Sequence, residues 1–431
     1  MQARPPPSGS DRGETRAGIG PQRAPGPRGY GIRVVVSLLT REEALAKVLE
    51  RTEVLPAEEV PIAKAAGRFV ASDAYAGVDL PPFASSAMDG FALRADDTPG
   101  RLPVVGRVAA GVPARRALGP GEAMAIATGG VVPEGADAVV PIEYVVDHDN
   151  EVEIRDAVVR GANVRPRGGD IRAGDVVVAA GTSLAPAHVG ALAAVGLDQV
   201  ACARRPRVAV LSTGTELRRP GEPLGSGEVY EANGAMLAAA LATANADIVE
   251  LAAVSDDDDA HRVSLERALG ADVVVTSGGV SVGPHDLVRR IARELGVQEV
   301  FWGVAVRPGK PVSFGVRDGT LVFGLPGNPV SSLVGCELFV RPALRALQGA
   351  AEPGPVYEPG RLAAAARRNP HRDELLRAHM TVRDGEVVLV PITGQESHMI
   401  ARAASANALV LAPRGDGELP AGARVGYLRL G

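Results

Sequence analysis

Three short apolar runs, each breaking off into glycine, limit the folds open to this chain more than any other feature. They are VAVLSTGTEL (Val208 to Leu217), VVVTSGGVSVG (Val273 to Gly283) and LVFGLPGNPV (Leu321 to Val330). Ile248 to Val254 adds a fourth β-rich run. Helical patterns separate these runs, and such alternation predicts βαβ units on a parallel sheet. Ser255 is expected to cap the helix that ends near Gly270, and Asn328 with Pro329 to start one that runs beyond Leu338. In a doubly wound sheet the turns after the strands gather at the carboxyl edge, where ligands bind at the reversal of strand order. The three glycine turns should therefore line one crevice.

The rest of the chain has a different texture. Residues 1–33 carry Pro and Gly too often for any element to persist and read as a disordered tail. Thr40 followed by Glu43 is a capping-box pattern, with Ala44, Leu45, Val48 and Leu49 on one helical face through Glu50. Between Leu102 and Val146, Val- and Ala-rich runs broken by Gly and Pro predict a small all-β unit. A helix follows Leu184, with Pro186 in its first turn and Gly196 past its end. Beyond Gly349 the texture is β again, and Asp384-Gly385 marks a hairpin turn. The fold class is thus multidomain α/β plus β, with a central doubly wound α/β domain, a β-rich insertion domain and a C-terminal β domain. The boundaries read as tail 1–33, a mixed αβ domain from 34–80 and 162–205, the insertion at 81–161, the α/β domain at 206–348 and the last β domain at 349–431.

Charge and cysteine content remove several functions. Lys plus Arg (46) against Asp plus Glu (51) leaves a net charge of -5, which argues against a nucleic-acid-gripping face. Cys202 and Cys336 lie far apart with no metal or disulfide spacing, as fits a reducing, cytoplasmic location. No apolar run reaches the ~20 residues of a membrane helix.

Hydroxyls, backbone N–H groups and helix starts in the three turns suit an anion such as phosphate. Tight βα turns alone would account for any one of them; three together point to a site. Lysine is rare, occurring only at Lys47, Lys64 and Lys310, yet Lys310 stands between prolines in RPGKP. A compact ammonium suits a confined oxyanion where a planar guanidinium would not fit. Asp89, Asp170, Glu216 and Asp286 follow Gly- or Ser-rich turns, and such oxygen ligands suit a hard cation such as Mg²⁺. Taken singly, Asp89 reads as an Asp-Gly turn and Glu216 as a first-turn helix residue. Asp256 to Asp259 read as a helix amino terminus, with Asp256 kept as a possible ligand contact. His188, His261 and His285 lack zinc-helix spacing and read mostly as surface groups.

PPFASSAMDGFAL (Pro81 to Leu93), TGGVVPEGADAVVP (Thr128 to Pro141), GANVRPRGGDIRAGD (Gly161 to Asp175), VLSTGTEL, TSGGVSVG, RPGKP and GLPGNPVSS occur in this order. Together they resemble the molybdopterin molybdenumtransferase (MoeA) family, to which the E domain of gephyrin belongs. The resemblance covers nearly everything after the tail. It implies a homodimer whose central domain binds molybdopterin, and a transferase that inserts molybdate into adenylylated molybdopterin with release of AMP, dependent on Mg²⁺. It implies catalytic roles for Asp89, Thr128, Asp170, Glu216, Asp286 and Lys310, and metal handling by Glu216, Asp256 and Asp286. Ser277, Gly278, Gly279, Ser281 and Gly283 would cradle the pterin phosphate, beside the rigid loop Pro326, Gly327, Asn328 and Pro329. Two other readings are a molybdopterin adenylyltransferase and a non-catalytic scaffold of the same fold. Segment 391–407, with GQESHMI, matches the family only loosely.

Overall fold

The computed structural model describes residues 38–279 and 287–430. The amino-terminal tail and the expectations placed on Ser281, Gly283, His285 and Asp286 lie outside the described residues.

The first helix, Arg41–Leu49, starts as its capping box requires. Thr40 Oγ1 accepts from Glu43 N at 3.1 Å and the Glu43 carboxylate accepts from Thr40 N at 2.7 Å. Its Ala44 and Val48 are buried in the same core as Phe339 and Leu344 of the central domain. Ala57–Pro61 pairs antiparallel with Gln199–Ala203, over a core that includes Val60, Leu184, Leu192 and Cys202. The helix Pro186–Ala194 has Pro at its first turn, and His188 Nδ1 accepts from Ala185 N at its start. Between these segments a six-stranded sheet runs in the order Ala138–Pro141, Gly90–Leu93, Ala123–Ile126, Gly100–Val108, Glu151–Ile154, Val145–His148.

The central sheet orders its strands Asp247–Val254, Arg207–Thr213, Val273–Ser277, Thr320–Leu325, Ser313–Arg317, Gln298–Trp302. The first four run parallel, as expected from the alternation of apolar runs, and the last two extend the sheet antiparallel. Strand alternation sorts the side chains onto two faces. Val208 and Val210 join the core containing Leu237, Leu241 and Phe323, while Ala209 and Leu211 join the one containing Leu265 and Ile291. Both faces are covered, so Val273–Ser277 and Thr320–Leu325 are buried throughout. The chain leaves Arg207–Thr213 for one neighbour and returns to the other, which puts the switch of strand order between Thr213 and Ser277.

The carboxy-terminal strands close into a barrel. Asp373–Arg383 pairs with Glu386–Pro391 on one side and with Ala408–Ala412 on the other, and Glu358–Leu362 and Arg424–Arg429 complete the ring. Asp384 and Gly385 have φ of 50° and 79°, the two positive values that a tight primed hairpin turn needs. No helix among the described residues is long and apolar enough to cross a membrane.

Three local expectations need correction. The helix Asp258–Ala268 is capped by Asp257, whose Oδ1 accepts from Ala260 N at 2.9 Å, and not by Ser255. Four consecutive acids offer several acceptors, and the chain's exit angle from the strand selects among them. No helix follows Glu216; it lies in a turn, and the next helix begins at Asn233. His261 is 5% exposed and therefore a buried residue, not a surface one.

Arg204 and Asp272 tie the strand preceding the central sheet to the sheet itself. The Asp272 carboxylate accepts from Arg204 at 2.6 and 2.7 Å and from Arg207 N at 2.7 Å. Burial alone would raise the Asp272 pKa, but these donors outweigh it and hold the carboxyl below its ordinary value. Arg204→Ala is expected to lower stability by about 2 kcal/mol at pH 7, because it strips a half-buried carboxylate of its main partner. A depressed folded-state pKa stabilises above the ordinary carboxylate value and loses that contribution as pH falls. The gap between wild type and variant in urea unfolding should therefore shrink below about pH 4.

Candidate functional site

Three strand ends converge at the switch point. A cavity of about 890 Å³ there is lined by residues that include Thr213, Gly214, Glu216, Asp256, Gly278, Gly279, Pro311, Pro326, Gly327 and Asn328. The turns touch one another. Gly278 N donates to Leu325 O at 3.0 Å, and a Cβ on Gly327 would lie 3.6 Å from Gly278 Cα. Gly278 and Gly279 have φ of 100° and 65°, a region that side chains rarely adopt. A Cβ on Gly278 would meet Thr213 O at 2.7 Å, so that turn can only be glycine.

Beneath the turns lies a buried polar layer. Ser277 Oγ is 3.2 Å from Pro326 O and 3.0 Å from Ser332 Oγ, and Ser277 and Ser332 are both buried. Among the described residues, the backbone amides of Gly279, Gly327 and Asn328 donate no hydrogen bond. Successive amides left without an acceptor at strand-end turns are the kind of group that can receive an anion.

The same cavity also carries acidic side chains. Glu216 and Asp256 are exposed side chains on the cavity, and Asp256 Oδ2 accepts from Thr215 N at 3.2 Å and from Thr215 Oγ1 at 3.3 Å. Asp258 and Arg290 also line it, paired at 2.5 Å, and Arg290 pairs with Glu294 at 2.9 Å. The Asp258 hydrogen bond chiefly raises the Arg290 pKa. His261 Nε2 lies 3.9 Å from Asp256 Oδ1, and burial lowers the imidazole pKa despite that carboxylate. The ring is thus held toward its neutral form.

Among the described residues, no group of three or more His, Cys, Asp or Glu forms a protein-only metal cage. Two open carboxylates on a cavity wall still fit Mg²⁺, which is usually bound through one or two carboxylates and takes its other ligands from water and substrate phosphate.

The remaining expected site residues lie elsewhere. Asp89 and Thr128 come together in the insertion domain, where Asp89 Oδ1 accepts from Thr128 N at 2.7 Å and the bond is exposed. Asp170 is exposed on a loop anchored by its own N–H to Leu80 O at 2.9 Å. None of these three lines the cavity within one chain. Lys310 is exposed beside the lining residue Pro311, its carbonyl accepts from Val304 N and Val312 N, and it makes no ion pair among the described residues. Pro329 opens the helix Pro329–Gly335.

Sequence reasoning passed over Ser397. It stands in the loosely matching 391–407 segment, yet Asn328 Nδ2 donates to its Oγ at 2.8 Å and Val330 N to its carbonyl at 3.1 Å. Arg377 supports that loop from beneath, fully buried, donating to the carbonyls of Gly394 and Glu396. The barrel domain therefore reaches the rim of the cavity. Asp258 and Arg290 were also missed, since only the packing of two helices brings them to one wall.

A glycine-lined cavity that also carries carboxylates lies at the switch point of a doubly wound sheet, where such folds take their ligands. Residues 39–196 match the MoeA N-terminal region (domain I and II), 209–346 a probable molybdopterin binding domain, and 359–430 the MoeA C-terminal region (domain IV). The chain is 39% identical to molybdopterin molybdenumtransferase 2 of Mycobacterium tuberculosis, over 85% of this chain and 93% of that protein. It is 33% identical to the molybdopterin molybdenumtransferase of Haemophilus influenzae, over 90% and 98%. The crystal structure of a molybdopterin biosynthesis MoeA protein from Pyrococcus horikoshii covers 91% of this chain and 99% of its own, at 34% identity and a TM-score of 0.77. The chain belongs to the molybdopterin molybdenumtransferase (MoeA) family.

Proposed function

We propose that this protein transfers molybdenum from molybdate to adenylylated molybdopterin, with release of AMP, in molybdenum cofactor biosynthesis. One observation carries the reading: three glycine turns and the carboxylates Glu216 and Asp256 wall a single cavity at the switch point. The amides of Gly279, Gly327 and Asn328 would receive the phosphate, with Ser277 fixing the turns from below. Glu216 and Asp256 would hold Mg²⁺, which supplies charge neutralisation at the phosphoanhydride. Lys310, one residue from the wall, would offset charge on the incoming oxyanion. The reading takes from the family resemblance a homodimer in which the insertion domain of one subunit faces the cavity of the other, and it accords with Asp89 and Thr128 not lining the cavity of their own chain. A cytoplasmic location belongs to the same reading, in keeping with Cys202 and Cys336 as free, buried thiols.

Purified protein given adenylylated molybdopterin, Mg²⁺ and molybdate is expected to release AMP, and to release it much more slowly without molybdate. ATP consumption that ignores molybdate would favour the adenylyltransferase. Tight ligand binding without turnover would favour the scaffold.

A further inference from the structure

Asn233 opens the helix Asn233–Ala242 and is distant in sequence from both glycine turns, yet its side chain joins them. Nδ2 donates to Ser277 Oγ at 2.9 Å and to the Gly327 carbonyl at 2.6 Å. Reversing the amide would set two carbonyl oxygens face to face, so Gly327 fixes its orientation. Oδ1 is buried and accepts from none of the described residues. An amide that commits both N–H groups to two loops, at the cost of an unmatched buried acceptor, is placed to serve the loops rather than its own helix.

The linked turns both line the cavity, and their Gly279, Gly327 and Asn328 amides donate to none of the described residues. Ser277 lies directly before Gly278 and Gly279, and Gly327 directly before Asn328. A change of less than 1 Å in their separation would spoil a shared phosphate site, because hydrogen-bond distances tolerate only a few tenths of an ångström.

We propose that Asn233 is a positioning residue for the phosphorylated pterin, holding turns 277–279 and 326–328 at the spacing their amides need to grip one anion. This rests on the function proposed above and adds a specific structural determinant of pterin affinity to it.

The test compares full-length wild type, Asn233→Ala and Asn233→Asp in steady-state AMP release, with adenylylated molybdopterin and molybdate varied in turn. Asn233→Ala is expected to raise KM for the pterin roughly tenfold or more, with kcat within about threefold and KM for molybdate unchanged. Asn233→Asp keeps the shape; a carboxylate is favoured at a helix amino terminus but here faces the Gly327 carbonyl, so its thermal midpoint should fall modestly below that of wild type while the protein still folds. It presents acceptors to two oxygens, however, and should raise pterin KM at least as much as Asn233→Ala. In a Ser277→Ala background the effect of Asn233→Ala should shrink, since one of its two partners is gone. If Asn233→Ala does not fold, Asn233→Asp decides alone. A folded Asn233→Asp with wild-type pterin KM would overturn the inference and leave the functional reading intact. A wild type that releases no AMP would overturn both.

Discussion

Exchanging Glu216 for Gln and Asp256 for Asn in one chain is expected to cut molybdate-dependent AMP release roughly a thousandfold, about 4 kcal/mol in the barrier. The two side chains are exposed on one cavity wall and support no core packing, so the amides should leave the fold unchanged. The amide replacing the Asp256 carboxylate would still offer Thr215 an oxygen acceptor, and the Thr215 contact at 3.2 Å should persist. What disappears is negative charge on the cavity. Without it a divalent cation would lose the two carboxylates proposed to hold it, and the charge neutralisation it would supply at the phosphoanhydride would be lost. Single substitutions should each raise the Mg²⁺ concentration needed for half-maximal rate, and the pair should not be rescued by excess Mg²⁺. Turnover within tenfold of wild type in the double variant would remove both residues from the reaction.

Gly278→Ala should be the most damaging single methyl in the central domain's crevice. Its φ of 100° lies where side chains are strained, and the new Cβ would sit 2.6 Å from Thr213 Oγ1 and 2.7 Å from Thr213 O. The hydroxyl can rotate aside; the backbone oxygen cannot. It belongs to a strand hydrogen-bonded on both sides, so relief must come from moving the 277–279 turn. A stability loss of about 3 kcal/mol follows from strain and overpacking together. Because the displaced turn carries the Gly279 amide, turnover should fall by roughly 10² or more in whatever fraction stays folded. Chemical unfolding and single-turnover kinetics separate the two effects. A variant as stable as wild type would show that the turn is slack, contrary to the contacts described.

The readable parts of this fold were those encoded by neighbours in sequence. The Thr40–Glu43 box, the Asp384-Gly385 hairpin and the strand-then-glycine runs each depend on residues a few positions apart, where spacing and turn chemistry decide the backbone. Ser313–Arg317 escaped notice because Gly315 interrupts its apolar pattern. The structure shows why glycine is there: a Cβ would lie 2.9 Å from Gln298 O on the adjoining strand. Contacts made across the fold left no local trace. Asp89 meets the Thr128 backbone, Asn233 bridges to Ser277 and Gly327, and Ser397 comes in from the barrel to Asn328. Each pair is set by how domains or loops fold back, and nothing in a lone Asn after Glu-Ala marks it as a brace. His261 misled for the opposite reason. Its polar neighbours suggested the surface, while the helix Asp258–Ala268 turns that one position inward, as it does Leu265.

In the proposed reaction one crevice brings the glycine turns and two carboxylates to the same ligand. Crystals grown with AMP and Mn²⁺ in place of Mg²⁺ test it most directly, through anomalous scattering at the manganese edge. A peak is expected about 2.1 Å from a carboxylate oxygen of Glu216 or Asp256, with the AMP phosphate between it and the Gly278–Gly279 and Gly327–Asn328 turns. A metal peak remote from both carboxylates, or a phosphate seated on another surface of the chain, would contradict it.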